Sequence, residues 1–98
     1  RDLRMSRGLG DVYKRQVLTK IRLWISPQLS PYIKTKPIHN SQIIKSEDER
    51  GMIIELYLYP NFEMEQEFLS HGEGLKVISP DSVRNRILER LKATLDNY

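Results

Sequence analysis

The segment Gly51–Tyr59 constrains the fold more than any other part of this 98-residue sequence. Its side chains alternate with a period of two, which is typical of a strand with one buried face. The two sets are Met52, Ile54, Leu56 and Leu58 on one side, and Ile53, Glu55, Tyr57 and Tyr59 on the other. The segment Pro37–Lys45 is also strand-like, and the charged stretch Ser46–Arg50 predicts a turn between the two. Together they predict a hairpin on which the rest of the chain packs.

A strand and a helix are predicted before this hairpin. Val17–Ile25 alternates in the same way and predicts a strand, with Ile21, Leu23 and Ile25 facing inward. Ser26 followed by Pro27 is typical of a helix start, and Pro31 limits the helix to Gln28–Lys34. Its inward side chains are predicted to be Leu29, Tyr32 and Ile33.

Two helices and a strand are predicted after the hairpin. Asn61 is expected to cap a helix over Phe62–His71, which Gly72 ends. Leu75–Ser79 predicts a strand, and Ser79-Pro80-Asp81 predicts the capped start of the last helix. The predicted buried positions are Met64, Phe68, Leu69, Val83, Ile87, Leu91 and Leu95. The charged side chains expected in solvent are Glu63, Glu65, Glu67, Arg84, Arg86, Arg90 and Lys92.

The order of these elements predicts the fold class. Two split βαβ units in the order β-α-β-β-α-β, plus a C-terminal helix, give an α+β ferredoxin-like sandwich. In that fold one antiparallel sheet carries its helices on a single face.

Composition narrows the possible functions. The chain has no cysteine, which excludes a disulfide framework, a thiolate zinc site and a cysteine nucleophile. Mean hydropathy is −0.54, and no apolar run is long enough to cross a membrane. We therefore expect a cytoplasmic protein.

The net charge of +3 comes from residues 1–16, which hold five basic and two acidic side chains, whereas residues 17–98 hold 11 of each.

Residues 1–16 have a separate origin in this interpretation. They lack the apolar region of a signal peptide and any pattern that could join a core. The run Ser6-Arg-Gly-Leu-Gly-Asp-Val-Tyr-Lys-Arg-Gln16 resembles the in-frame translation of a transposon-based sequencing adapter. We therefore expect residues 1–16 to be a disordered, non-native leader and residues 17–98 to be the domain.

From Ile21 onward the sequence resembles the C-terminal extension, of the WCX type, that follows the WYL domain in bacterial WYL-family transcriptional regulators. One departure is His71, where that family usually places an aromatic residue. The matching motifs are Ile21-Arg-Leu-Trp-Ile-Ser-Pro27 with Tyr32, Pro37-Ile-His-Asn-Ser-Gln42, Gly51, Glu63-Met-Glu65, Leu69-Ser-His-Gly72 and Leu75-Lys-Val-Ile-Ser-Pro80.

The resemblance implies a non-enzymatic role in dimerisation and effector response. The implied partners are the WYL and helix-turn-helix domains of a parent chain, a second subunit, DNA through the helix-turn-helix, and a small-molecule or single-stranded nucleic-acid effector. No cofactor and no membrane are expected. Two alternatives remain: a small-molecule-binding regulatory domain of a metabolic enzyme, and a single-stranded nucleic-acid sensor.

Two groups of residues are candidate sites. His39, Ser41 and Gln42 form a polar cluster near the start of the first hairpin strand. Two interpretations are open: the cluster contacts an effector or docks a neighbouring domain, or it only makes hydrogen bonds at the strand edge. A second group interleaves cations with aromatics, which fits a subunit interface, single-stranded nucleic acid or an ordinary surface. Its members are Lys20, Arg22, Trp24, Tyr57 and Tyr59.

No catalytic or metal-binding set is predicted. A nucleophile, a base and an orienting group do not occur together at a recognisable spacing. His39 and His71 lie far apart in sequence with no carboxylate at ligand spacing, so solvated or hydrogen-bonded histidines are expected instead.

Overall fold

A computed structural model describes residues 17–98, and the expected leader over residues 1–16 lies outside that range. The four strands are β1 (Thr19–Ile25), β2 (Ile43–Asp48), β3 (Gly51–Leu58) and β4 (Leu75–Ser79). The three α-helices are α1 (Ser30–Thr35), α2 (Phe62–Ser70) and α3 (Asp81–Asp96), and a short 3-10 helix spans Gly72–Gly74.

The four strands form one antiparallel sheet in the order β2-β3-β1-β4. This is the strand order of a ferredoxin-like sandwich, and the predicted fold class is confirmed. The helices cover one face of the sheet. The core between sheet and helices is apolar, and its fully or nearly fully buried members are Ile21, Leu23, Ile25, Ile33, Met52, Ile54, Leu56, Met64, Phe68, Val77, Val83 and Ile87.

The hairpin is displaced along the sequence from its predicted position. β2 begins at Ile43 rather than Pro37 and continues to Asp48, so the turn contains only Glu49 and Arg50. Residues 37–42 form a bent loop instead, because the Gln42 side chain accepts the Ile38 N–H at 3.0 Å and folds the backbone over itself. The predicted strand Pro37–Lys45 and turn Ser46–Arg50 are therefore wrong in their bounds.

The first helix also starts later than predicted. Ser26 and Pro27 lie in a turn in which the Ser26 Oγ accepts the Leu29 N–H at 3.2 Å, and the helix begins at Ser30. Pro31 lies in the first turn of the helix. Backbone N–H groups have no helical partner there, so the N–H that proline lacks costs no hydrogen bond. Tyr32 is exposed, so its predicted inward position is wrong.

The Asn61 cap of α2 is confirmed, since Asn61 Oδ1 accepts the Met64 N–H at 2.7 Å.

Helix α3 is buried over only its first half. Val83 and Ile87 pack in the core as predicted, but Leu91 and Leu95 are 47% and 71% exposed. A 16-residue helix is about 24 Å long, whereas the five-residue strand β4 beside it spans about 16 Å. The helix therefore extends past the sheet. Its predicted start is also corrected, because Ser79 belongs to β4 and Pro80 occupies the cap position without a side-chain hydrogen bond.

A buried carboxylate joins α2 to α3, where the sequence predicted three solvated charges. Glu65 is 0% exposed, and the side chains of Arg86 and Arg90 are 21% and 22% exposed. Glu65 accepts from Arg86 Nε at 3.2 Å and from Arg90 Nη1 at 3.1 Å. Arg90 also lies over the Phe62 ring at 4.6 Å. The predictions of a solvated Glu65, Arg86 and Arg90 are wrong, because the two helices meet along this side.

Candidate functional site: the open sheet face and the His39 loop

The sheet face opposite the helices carries most of the predicted cation and aromatic group. Lys20 pairs with Tyr57, Arg22 with Glu55, and Trp24 with Ile53 across β1 and β3. Within residues 17–98, no helix covers this face. We call it the open sheet face; it consists of Lys20, Arg22, Trp24, Ile43, Ile53, Glu55, Tyr57, Lys76 and Ile78.

An ion pair lies at the centre of the open sheet face. Arg22 donates to Glu55 Oε2 from Nε at 3.1 Å and from Nη2 at 2.5 Å. The hydrogen bonds from Arg22 hold the pKa of the Glu55 carboxyl below its ordinary value of 4.5, and the positive charge of nearby Lys45 acts in the same direction. Partial burial opposes this shift without reversing it. The charge of Arg22 is therefore engaged within the sheet rather than free for a ligand.

The Arg22–Glu55 pair predicts a pH dependence of stability. Because the pKa of Glu55 is lower in the folded chain than in the unfolded one, the stabilisation is fully present above 4.5 and is lost as pH falls through the folded-state pKa. We expect the difference in unfolding free energy between the wild type and Glu55→Gln to shrink as pH is lowered past 4.5. Urea unfolding at several pH values measures it, and a difference that grows on acidification would contradict the assignment.

Trp24 is held at the edge of the open sheet face by two neighbours. Its indole Nε1 donates to the Arg50 carbonyl at 3.1 Å, and Lys76 Nζ lies 5.5 Å from the ring centroid. Arg50 belongs to the β2–β3 turn and Lys76 to β4, so contacts from both sides of β1 hold the ring. These two contacts fix the position of the indole within the chain.

Tyr59 lies apart from the other four residues of its predicted group. Strand β3 ends at Leu58 and Pro60 follows, so the alternation that would have placed Tyr59 on the open sheet face stops before it. Tyr59 instead lines a cavity of about 390 Å³ together with His39, Leu58, Met64 and Glu67. The structure thus brings Tyr59 to the other predicted cluster.

The predicted cluster of His39, Ser41 and Gln42 is a hydrogen-bonded loop. Ser41 Oγ accepts the Tyr57 N–H at 2.8 Å and lies 2.7 Å from His39 Nδ1, which also accepts the Ser41 N–H at 3.2 Å. With Nδ1 acting as acceptor, the neutral imidazole carries its proton on Nε2. Gln42 is occupied within the fold, since its amide also donates to the Ile33 carbonyl at 3.3 Å. His39 is the member of the three that lines the cavity.

The second histidine lies elsewhere. His71 packs edge-on against Tyr32 with 6.4 Å between ring centroids, and its Nε2 lies 3.3 Å from Glu67 Oε2. The imidazole therefore makes an aromatic contact at the position where an aromatic residue was expected from the resemblance. Among residues 17–98, no three side chains of the metal-binding types are grouped closely enough to hold an ion.

The strand order, the single helical layer and the added C-terminal helix define a ferredoxin-like α+β domain. Compared with known protein families, residues 18–95 match the WCX domain, and the chain belongs to that family. This match confirms the resemblance drawn from the sequence. No curated protein matches the chain at a significant level. Over residues 17–98, none of the helices combines the length and the apolar character needed to span a membrane.

Proposed function

We propose that this domain is the C-terminal regulatory and dimerisation module of a cytoplasmic WYL-family helix-turn-helix transcriptional regulator, with no catalytic role of its own. Family membership over residues 18–95 favours this function over a regulatory domain of a metabolic enzyme. The observation that carries the dimerisation part is the open sheet face, where apolar and aromatic side chains remain in solvent.

The open sheet face has the composition of a subunit interface. Ile43, Tyr57 and Ile78 are exposed there although they are large and apolar, and Trp24 lies beside them. Tryptophan, tyrosine and arginine are the residues most enriched among strong interface contacts. Arg22 and Glu55, at the centre of the face, balance each other's charge, so a second subunit does not meet an unpaired ion at that point.

The cavity beside His39 supports the effector part of the proposal. Its apolar lining residues are Ile38, Leu58 and Met64, and its polar groups come from His39, Tyr59, Asn61, Glu63 and Glu67. A concave surface that combines apolar side chains with polar groups able to orient a ligand is typical of small-molecule sites. An effector held between this cavity and a neighbouring WYL domain would bias the relative placement of two subunits, and with it the spacing of their DNA-binding heads.

A charged substitution at Tyr57 tests the dimerisation part. Tyr57→Asp places a carboxylate on the open sheet face, and we expect it to weaken self-association of the 98-residue chain by about thirtyfold, or about 2 kcal/mol. Sedimentation equilibrium over a range of concentrations measures this. The control is Tyr32→Asp, because Tyr32 is on the helical side and is 51% exposed, close to the 49% of Tyr57.

Two outcomes would count against dimerisation through this face. A strictly monomeric wild-type chain would refute it, as would equal effects of the two substitutions. A third outcome would assign the face to single-stranded nucleic acid. Lys20 lies beside Tyr57 and Lys76 beside Trp24, and such pairs of a cation and an aromatic ring bind the backbone and stack the bases of single strands. In that case the chain binds a short single strand in a salt-dependent manner, and Tyr57→Asp abolishes that binding without changing sedimentation.

A further inference from the structure

A groove separates the exposed part of helix α3 from strand β4. Its volume is about 560 Å³, and its walls are mainly apolar. The principal wall residues are Trp24, Leu75, Val77, Ile87, Leu88 and Leu91. We call it the α3–β4 groove. It lies at the sheet edge formed by β4, where it borders the open sheet face through Trp24 and Lys76, and it is distinct from the cavity beside His39.

Two leucines of the groove, Leu88 and Leu91, are not part of the core. Val83 and Ile87 fill the space between α3 and the sheet, whereas Leu88 is 38% exposed and Leu91 is 47% exposed. Both line the groove, while Leu95, one turn further along the helix, does not. The concave apolar surface therefore results from the way α3 leaves the sheet. Its volume falls in the range of about 300–1,000 Å³ that is typical of small-molecule sites.

Two cations line this apolar groove without an acidic partner. Lys76 and Arg84 both border it, and neither forms an ion pair with any acid among residues 17–98. Arg86 and Arg90, on the same helix, are by contrast committed to Glu65. Glu73 is the single acid lining the groove, which leaves the lining with an excess of one positive charge. An anion would satisfy that charge, and an apolar body would cover the leucines and the indole.

We propose that the α3–β4 groove binds an amphipathic organic anion, with a flat apolar body against Trp24, Leu88 and Leu91 and a carboxylate or sulfonate near Arg84 and Lys76. A second copy of the chain fits less well, because a two-fold contact places the same patch on both sides. The cations of one copy would then face those of the other. The groove shares Trp24 and Lys76 with the open sheet face but does not include Tyr57, the residue that tests dimerisation.

The test uses the 98-residue chain and the aromatic sulfonate 8-anilinonaphthalene-1-sulfonate. Trp24 is the only tryptophan in the sequence, so energy transfer from it to the dye reports binding to the domain, and the substitutions in and outside the groove locate the bound dye. We expect one dye per chain. Arg84→Ala should weaken binding about tenfold, the size of one charge-assisted contact, and Leu88→Glu should do so at least as strongly. The uncharged analogue N-phenyl-1-naphthylamine should bind more weakly, with no response to Arg84→Ala.

Matched variants separate the groove from the general surface. Arg50→Ala and Leu95→Glu alter an arginine and a leucine outside the groove, and each should leave the dye affinity within about twofold. Tyr57→Asp should also leave it unchanged, so this proposal and the dimerisation proposal can fail separately. Three results would overturn the inference: equal affinity for the charged and neutral dyes, equal effects of Arg50→Ala and Arg84→Ala, or a dimer that Leu88→Glu dissociates, which would place a second copy in the groove.

Discussion

Replacing Arg86 and Arg90 together with methionine should lower the free energy of unfolding by about 3–5 kcal/mol. The reason is Glu65, whose carboxylate is fully buried and would lose both cations that lie 3.2 Å and 3.1 Å away. The core of a domain of this size supplies only roughly 3–5 kcal/mol, so the double variant should be largely unfolded at 25 °C. Urea unfolding followed by far-ultraviolet circular dichroism and Trp24 fluorescence measures the loss.

The control for this prediction is another pair of cations on the same helix. Arg84→Met with Lys92→Met removes two exposed charges that form no ion pair among residues 17–98, and it should change stability by less than about 0.5 kcal/mol per site. Adding Glu65→Met to the Arg86→Met and Arg90→Met variant should restore much of the stability, because the buried charge is then gone. A double variant that costs no more than the control pair would contradict the assigned role of Glu65.

The sequence contained a signal for the contact of Glu65 with Arg86 and Arg90. Glu65 precedes Phe68 by three residues and Leu69 by four, so the helical period places it beside the buried stripe. Arg86 and Arg90 are four apart and therefore share one side of α3. What the sequence could not supply is the packing of α3 against α2, which decides that these charges meet each other rather than solvent.

Hydrophobic periodicity and helix-capping residues predicted much of the fold and part of the candidate site. The period of two correctly assigned Trp24 and Tyr57 to the outer face, and Asn61 predicted the start of α2. The pairing of Arg22 with Glu55 was not predicted, because it depends on the register between β1 and β3. The α3–β4 groove was not predicted either, since it depends on how far α3 extends past β4. These failures concern tertiary placement rather than local structure.

Gly51→Ala should cost about 3 kcal/mol of folding free energy, through both backbone strain and a steric clash. Gly51 has φ of 137°, which a residue with a side chain rarely adopts. An added Cβ would overlap Trp24 Nε1 and would lie 2.6 Å from the Ile25 carbonyl oxygen. The indole would be displaced from its hydrogen bond to Arg50, so Trp24 fluorescence should change along with the unfolding free energy.

The matched control is Gly72→Ala, because Gly72 also has a positive φ, of 59°, yet no atom beyond its two chain neighbours lies within 4 Å of the position that its added methyl group would take. Gly72→Ala should lower the free energy of unfolding only by the cost of backbone strain, about 1 kcal/mol, and should leave Trp24 emission unchanged. In a Trp24→Leu background, Gly51→Ala should cost less than in the wild type, since one of the two clashing groups is gone. Equal costs for Gly51→Ala and Gly72→Ala would contradict this argument. Because the same indole borders the open sheet face and the α3–β4 groove, the absence of a Cβ at Gly51 is a condition for the shape of both surfaces.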